Sequence, residues 1–134
     1  MTPHRAATVA DHMKTELVTL TPDLEIVSAV AILLQRHVSG ACVLDESGVL
    51  AGVLSKRDCL KAALSASYYK EWGGTVADYM TGAPQTLDAD LDIVAAAEVM
   101  IRSSYRRFPV LRHGRFVGQI SRTDVLEALS AYWT

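Results

Sequence analysis

Two short stretches of the chain set a serine three residues ahead of an aspartate at the end of an apolar run. One is Ser55-Lys56-Arg57-Asp58 after Gly52-Val53-Leu54; the other is Ser121-Arg122-Thr123-Asp124 after Gly118-Gln119-Ile120. This spacing supports two kinds of chemistry. In a capping box the serine side chain accepts from the backbone N–H three residues on, while the acid reaches back to the serine's own N–H. A helix N-terminus also presents unpaired N–H groups and the positive end of the helix dipole, so the same place can hold a phosphate or another anion. Lys56, Arg57 and Arg122 fall in the first turn, where the dipole disfavours cations by roughly a few tenths of a kcal/mol. An anion joining them would account for that placement. Taken alone, the motif leaves cap and ligand site both open.

The motif occurs twice because the chain is written twice. Thr8 to Met13 (TVADHM) recurs as Thr75 to Met80 (TVADYM), and at that offset Thr19, Leu20, Asp23, Leu24, Ile26, Val27, Val43 and Leu44 meet identical residues. After one dropped residue near Ser47, Gly48 meets Gly114, Gly52 meets Gly118, Ser55 meets Ser121 and Asp58 meets Asp124. Each copy reads as a short helix, an extended segment (17–20 or 85–87), a helix, two strands joined by a glycine-bearing turn, and a last helix opening at the Ser-x-x-Asp. The middle helix is expected to begin at Thr21-Pro22 in the first copy, with proline suited to the first helical position, and at Asp88-Ala89 in the second. Leu24, Val27, Val30, Leu34 and Val38, against Leu91, Val94, Ile101 and Tyr105, recur at helical spacing and are expected to face the core.

The predicted fold class is α+β: two repeated β-α-β-β-α motifs packed as one pseudo-two-fold module over residues 1–134. The motifs span 8–66 and 75–132, with a linker at 67–74 that ends in Gly73-Gly74. Each copy, at about sixty residues, is too small to bury much of its surface alone, so the two should pack together.

Composition narrows the function. Thirteen lysines and arginines against fifteen acids leave a net charge of −2, which gives no basic field for nucleic acid. Cys42 and Cys59, flanked by aliphatic residues, form no Cys-x-x-Cys and pair with no histidine at metal-ligand spacing, so they read as buried thiols rather than a metal or redox site. His4, His12, His37 and His113 read as surface or capping residues. The N-terminus has no apolar signal region, and no apolar run approaches the ~20 residues that span a bilayer. A soluble cytoplasmic protein, not inserted in a membrane, is expected. Neither cysteine lies in a recognisable nucleophile motif, so catalysis is not expected. Tyr68, Tyr69, Trp72, Tyr132 and Trp133 supply aromatic area outside the strands, either to cover a flank or to meet a partner.

The order, spacing and repetition of Asp78-Tyr79-Met80-Thr81, Phe108-Pro109-Val110 and Gly118 to Asp124, with Asp11-His12-Met13 and Gly52 to Asp58 in the first copy, resemble the cystathionine β-synthase (CBS) domain family. The likeness runs from about Thr8 to Tyr132. It implies a tandem CBS pair, or Bateman module, whose central cleft binds an adenosine compound such as AMP, ADP, ATP or S-adenosylmethionine. By this resemblance the chain is a non-catalytic regulatory sensor needing no cofactor beyond that ligand. A homodimer is expected, serving a separate enzyme or transporter. Asp58 and Asp124 would accept the ribose hydroxyls, since two O–H donors match two carboxylate oxygens. Ser55 and Ser121 would stand at the anion-binding helix ends. Gly52 and Gly118 would let the backbone pass close to the ligand.

Arg106 and Arg107 occupy positions that often reach nucleotide phosphates in this family, and guanidinium forks suit phosphate oxygens. The first copy has Ser39 and Gly40 there, so two equal phosphate sites are not expected. Lys56 and Arg122 would lie near the anion, Arg57 and Thr123 would touch the ligand, and the adenine edge would meet backbone at Thr15 and Gly82 and side chains at Val53 and Pro109. The alternative is a ligand-free structural or protein-interaction dimer whose Ser-x-x-Asp motifs only cap.

Overall fold

Aliphatic runs on either side of turns that tolerate positive φ close into two hairpins. In a computed structural model of the chain, which describes residues 7–132, β2 (Gly40–Leu44) pairs antiparallel with β3 (Leu50–Ser55), and β6 (Arg107–Arg112) with β7 (Arg115–Ser121). His113 and Gly114, at φ of 52° and 77°, supply the left-handed pair that a two-residue hairpin turn requires. Short strands β1 (Thr19–Leu20) and β5 (Leu87–Asp88) join β2 and β6 in parallel. A parallel pair needs a crossover, and α2 (Ile26–Gln35) and α5 (Ile93–Arg102) supply it; α3 (Lys56–Tyr69) and α6 (Arg122–Tyr132) follow the hairpins. Each repeat is thus the expected β-α-β-β-α unit of an α+β fold. His4 and Trp133 lie outside the described residues.

The remaining elements are short. They are α1 (Val9–His12), α4 (Val76–Tyr79) and β4 (Thr81–Gly82), which adds to the edge of β3. Their docking is crossed with respect to the repeats. Residues 18–84 form one compact unit, and residues 7–17 with 85–132 form the other. In the second of these, Val9 N donates to Leu91 O and Ala10 N to Ala89 O, both at 2.9 Å. In the first, Val76 N donates to Leu24 O and Ala77 N to Pro22 O, also at 2.9 Å. The opening helix of each copy therefore completes the unit built around the other copy's strands. α3 also runs through 67–69 of the segment read as linker and stops at Lys70, whose φ of 60° breaks the helix.

This docking explains where the middle helices begin. The carbonyls of Pro22 and Leu24 accept laterally from 76–77, and Ile26 N donates to Gly74 O at 3.1 Å. Thr21 to Glu25 are thereby held out of the helix, so α2 starts at Ile26 rather than at Thr21-Pro22. α5 likewise starts at Ile93 rather than at Asp88-Ala89, with the Asp92 side chain accepting from Val94 N and Ala95 N.

The buried face differs from the one expected. Ile26, Ala29 and Leu33 in α2 and Ile93, Ala96 and Met100 in α5 are buried, whereas Val27, Leu34, Val94, Ile101 and Tyr105 are exposed, Ile101 at 84%. Leu24, Val30, Val38 and Leu91 are only partly buried. Both helices are apolar almost all round, so periodicity admits more than one phase. The phase realised buries Ala29 and Ala96 completely, and a small side chain there lets neighbouring elements approach closely. Among the described residues no helix is long and apolar enough to cross a membrane.

Two outcomes follow from these cores. Ile93→Ala should lower stability by about 2–5 kcal/mol in urea denaturation, while Val94→Ala should stay within about 0.5. Burial pushes the Cys42 thiol from its ordinary 9.0 up to about 11. The folded chain then holds a proton that the unfolded chain releases. The stabilisation is intact below pH 9 and lost as pH rises through 9 to about 11, a decline that Cys42→Ala should remove from stability-against-pH curves.

Candidate functional site

Asp58 and Asp124 are the buried charged residues among those described, each 7% exposed. A buried carboxylate must be hydrogen-bonded to persist, and the strand-to-helix junction provides the partners. Ser55 N and Ser55 Oγ each donate to Asp58 Oδ2 at 2.9 Å, and Asp58 N donates back to Ser55 Oγ at 3.2 Å. The second copy repeats this: Ser121 N and Oγ donate to Asp124 Oδ2 at 2.8 and 3.0 Å, and Asp124 N donates to Ser121 Oγ at 3.2 Å. Both capping boxes are therefore formed.

The cap uses one carboxylate oxygen and leaves the other. Oδ2 already accepts two donors in each copy, so the two ribose hydroxyls do not find both oxygens open, as the sequence suggested. They would share the lone pairs of Oδ1. No buried side-chain polar atom among the described residues lacks a partner, and Asp58 bonds through Oδ2; its Oδ1 therefore reaches solvent. Asp124 Oδ1 instead lies 3.6 Å from Lys14 Nζ. Lys14 and Asp124 line a depression of about 380 Å³ with Asp11, His12 and Glu127. Capping thus occupies one oxygen of each acid and leaves the other outside the cap.

The residues singled out in the sequence fall into two sets. In the unit of 18–84, Val53 pairs with Thr81 and Gly52 with Gly82, placing Val53 and Gly82 on adjacent strands just ahead of Ser55, Lys56, Arg57 and Asp58. In the other unit Pro109 faces Gln119 and Arg107 faces Ser121 across the hairpin, and Arg122 N donates to Arg106 O at 3.0 Å. Arg106, Arg107 and Pro109 thus flank Ser121, Arg122, Thr123 and Asp124. Thr15 joins them from the first copy, next to Lys14, whose backbone bridges Gln119. Lys14 was not anticipated. The available signal was its adjacency to Thr15 and its place opposite Thr81 in the repeat.

Two details differ from expectation, and a third gives a reason for the difference between the copies. A Cβ on Gly52 would lie 2.6 Å from Thr81 O and 2.9 Å from Met80 Sδ, and one on Gly118 would lie 2.7 Å from Lys14 O and 2.8 Å from Met13 Sδ. These glycines admit the crossing methionine segments rather than a ligand. Arg122 Nη2 donates to Ser103 O at 3.1 Å, which accounts for its first-turn position without an anion. At Gly40, opposite Ser55, a Cβ would come within 2.9 Å of Leu54 O, so the first copy resists a side chain where the second has Arg107. Beside Asp58, the Cys59 thiol is pushed up by burial and then by the neighbouring charge, which disfavours the thiolate.

The CBS domain model matches this chain twice, over residues 9–65 and 76–131. An uncharacterised protein of Methanocaldococcus jannaschii is 28% identical over 125 residues, covering 93% of this chain and 44% of that protein. Chloroplastic CBSX1 of Arabidopsis thaliana is 28% identical across 90% of this chain and 63% of its own. The chain thus spans less than two thirds of either relative. Among solved structures, CBSX2 in complex with AMP gives a TM-score of 0.81 at 28% identity, covering 95% of this chain and 98% of that one. The cytosolic domain of the Mg2+ channel MgtE in complex with ATP gives 0.77 at 25% identity, covering 90% and 48%. With both repeats matched over most of its length, the chain belongs to the CBS domain family.

Proposed function

We propose that the chain is a non-catalytic regulatory module that binds an adenosine-containing ligand, AMP, ADP, ATP or S-adenosylmethionine, at its Ser-x-x-Asp junctions. The observation that carries this reading is the pair of buried aspartates, each locked by its serine through one oxygen while the other oxygen stays outside the cap. An ionised acceptor preorganised at a helix N-terminus suits a hydroxyl donor that carries an anionic tail. The AMP and ATP complexes of similar chains support it. Ser55, Arg57, Val53 and Gly82 would serve Asp58; Ser121, Thr123, Arg106, Arg107, Pro109 and Thr15 would serve Asp124; Lys56 would stand beside the anion, and Arg122 would do so only by leaving Ser103 O. No further cofactor is required, and a separate enzyme or transporter would receive the signal. Two buried cysteines outside any disulfide suit the reducing cytoplasm.

Association as a homodimer belongs to the same reading. Ala97, Met100, Ile101, Val125, Leu126 and Leu129 line an apolar groove of about 520 Å³ along α5 and α6. Val27, Leu34, Leu60 and Leu64 are exposed on α2 and α3. Apolar faces of this kind mark association surfaces. They equally favour the second reading, an interaction dimer that takes no ligand.

Thermal shift separates the two readings, since a ligand at a hundred times its dissociation constant adds about 2.7 kcal/mol to a chain that binds it. AMP, ADP, ATP or S-adenosylmethionine should raise Tm; no shift from any of them at millimolar concentration would leave the ligand-free dimer. Asp124→Asn keeps a cap acceptor and removes the charge. It should weaken ligand binding by about 1.5–3 kcal/mol in titration calorimetry, whereas Asp124→Ala should also lose about 1 kcal/mol of cap stability. Ile101→Glu should convert a dimer to a folded monomer, as read by light scattering.

A further inference from the structure

The two junctions differ in charge, and Lys14 is the residue that makes them differ most directly. Its backbone is fixed: Lys14 N donates to Gln119 O at 2.8 Å and Gln119 N to Lys14 O at 3.0 Å, with Met13 pressed onto Gly118. From that anchored root the ammonium reaches 3.6 Å from Asp124 Oδ1 while the side chain remains 66% exposed. This is longer than a charge-assisted hydrogen bond and involves a solvated cation, so the pair is loosely held. At the twin position stands Thr81, exposed and neutral, on the strand beside Val53. No cation is paired with Asp58 among the described residues. Arg106 and Arg107 add charge on the Lys14 side, where the other unit has Ser39 and Gly40.

Resting on the adenosine-ligand reading above, we propose that Lys14 is a specificity-determining residue that makes the Asp124 junction select phosphorylated adenosine over neutral adenosine. A ribose hydroxyl that takes Asp124 Oδ1 displaces the ammonium. With a neutral ligand the lysine loses its counter-charge and gains nothing. With a phosphorylated one it exchanges a carboxylate for a phosphate while staying rooted on the strand edge. Selectivity is the difference between those two exchanges. The Asp58 junction, with Thr81 in that place, makes no such exchange, and its nearby cations, Lys56 and Arg57, lie in the first turn of the helix instead of against the carboxylate.

Titration calorimetry on the full chain with AMP and adenosine tests this, using Asp58→Asn to silence the other junction. The Asp58→Asn chain should prefer AMP. Adding Lys14→Thr, the residue its twin position tolerates, should cut the AMP-to-adenosine affinity ratio at least about tenfold, while Lys14→Arg should keep it. Conversely, Thr81→Lys with Asp124→Asn should raise AMP preference at the Asp58 junction. Unchanged ratios, or equal gains for AMP and adenosine on losing Lys14, would show a mere surface pair and overturn the inference while leaving the ligand reading intact. Binding of neither compound to the unsubstituted chain would overturn the ligand reading and the inference with it.

Discussion

A carboxylate buried at the start of a helix is the constraint on which each unit turns. Leaving water is costly for a charge, so Asp58 and Asp124 persist only because serine N–H, serine hydroxyl and the returning helix N–H close a small ring around them. That ring fixes where the last strand stops and the last helix begins. It also sets the orientation of the remaining oxygen. A group held this tightly needs no reorganisation to accept a hydroxyl, which is the condition for a small ligand to bind without reshaping its host.

The rest of each unit keeps that junction in place. β3 and β7 each lie between a hairpin partner and a short edge segment, residues 81–82 on one and Lys14 on the other. The glycines beneath the methionines bring the edge segments down to van der Waals distance. A packing requirement thereby places a charged side chain, because the contact that seats Met13 also brings Lys14 to Asp124. The two halves of the repeat share architecture while their charges diverge around it.

Much of this was legible in the chain. Strands bounded by glycine turns, the Ser-x-x-Asp junctions and the duplication are local signals, and the structure places all of them within a residue or two of expectation. What periodicity could not supply was phase: in α2 and α5 nearly every residue is apolar, and nothing in the pattern separates the buried alanines at 29 and 96 from the less buried ones at 31, 95 and 97. The starts of these helices depend on hydrogen bonds from residues 7–10 and 74–77, distant in sequence, which no local rule encodes. Lys14 escaped notice for the same reason, since its partner is brought to it only by the crossed docking.

That crossed docking bears on how the chain is made. Residues 18–84 are contiguous and can close as soon as they are synthesised, whereas residues 7–17 are made first and must wait until β7 and α6 exist before finding their place. During translation the leading segment is tethered to a finished neighbour while its own seat is still unmade. Long-range closure of this kind slows assembly, because residues 7–14 find their backbone partners at residues 89–93 and at Gln119.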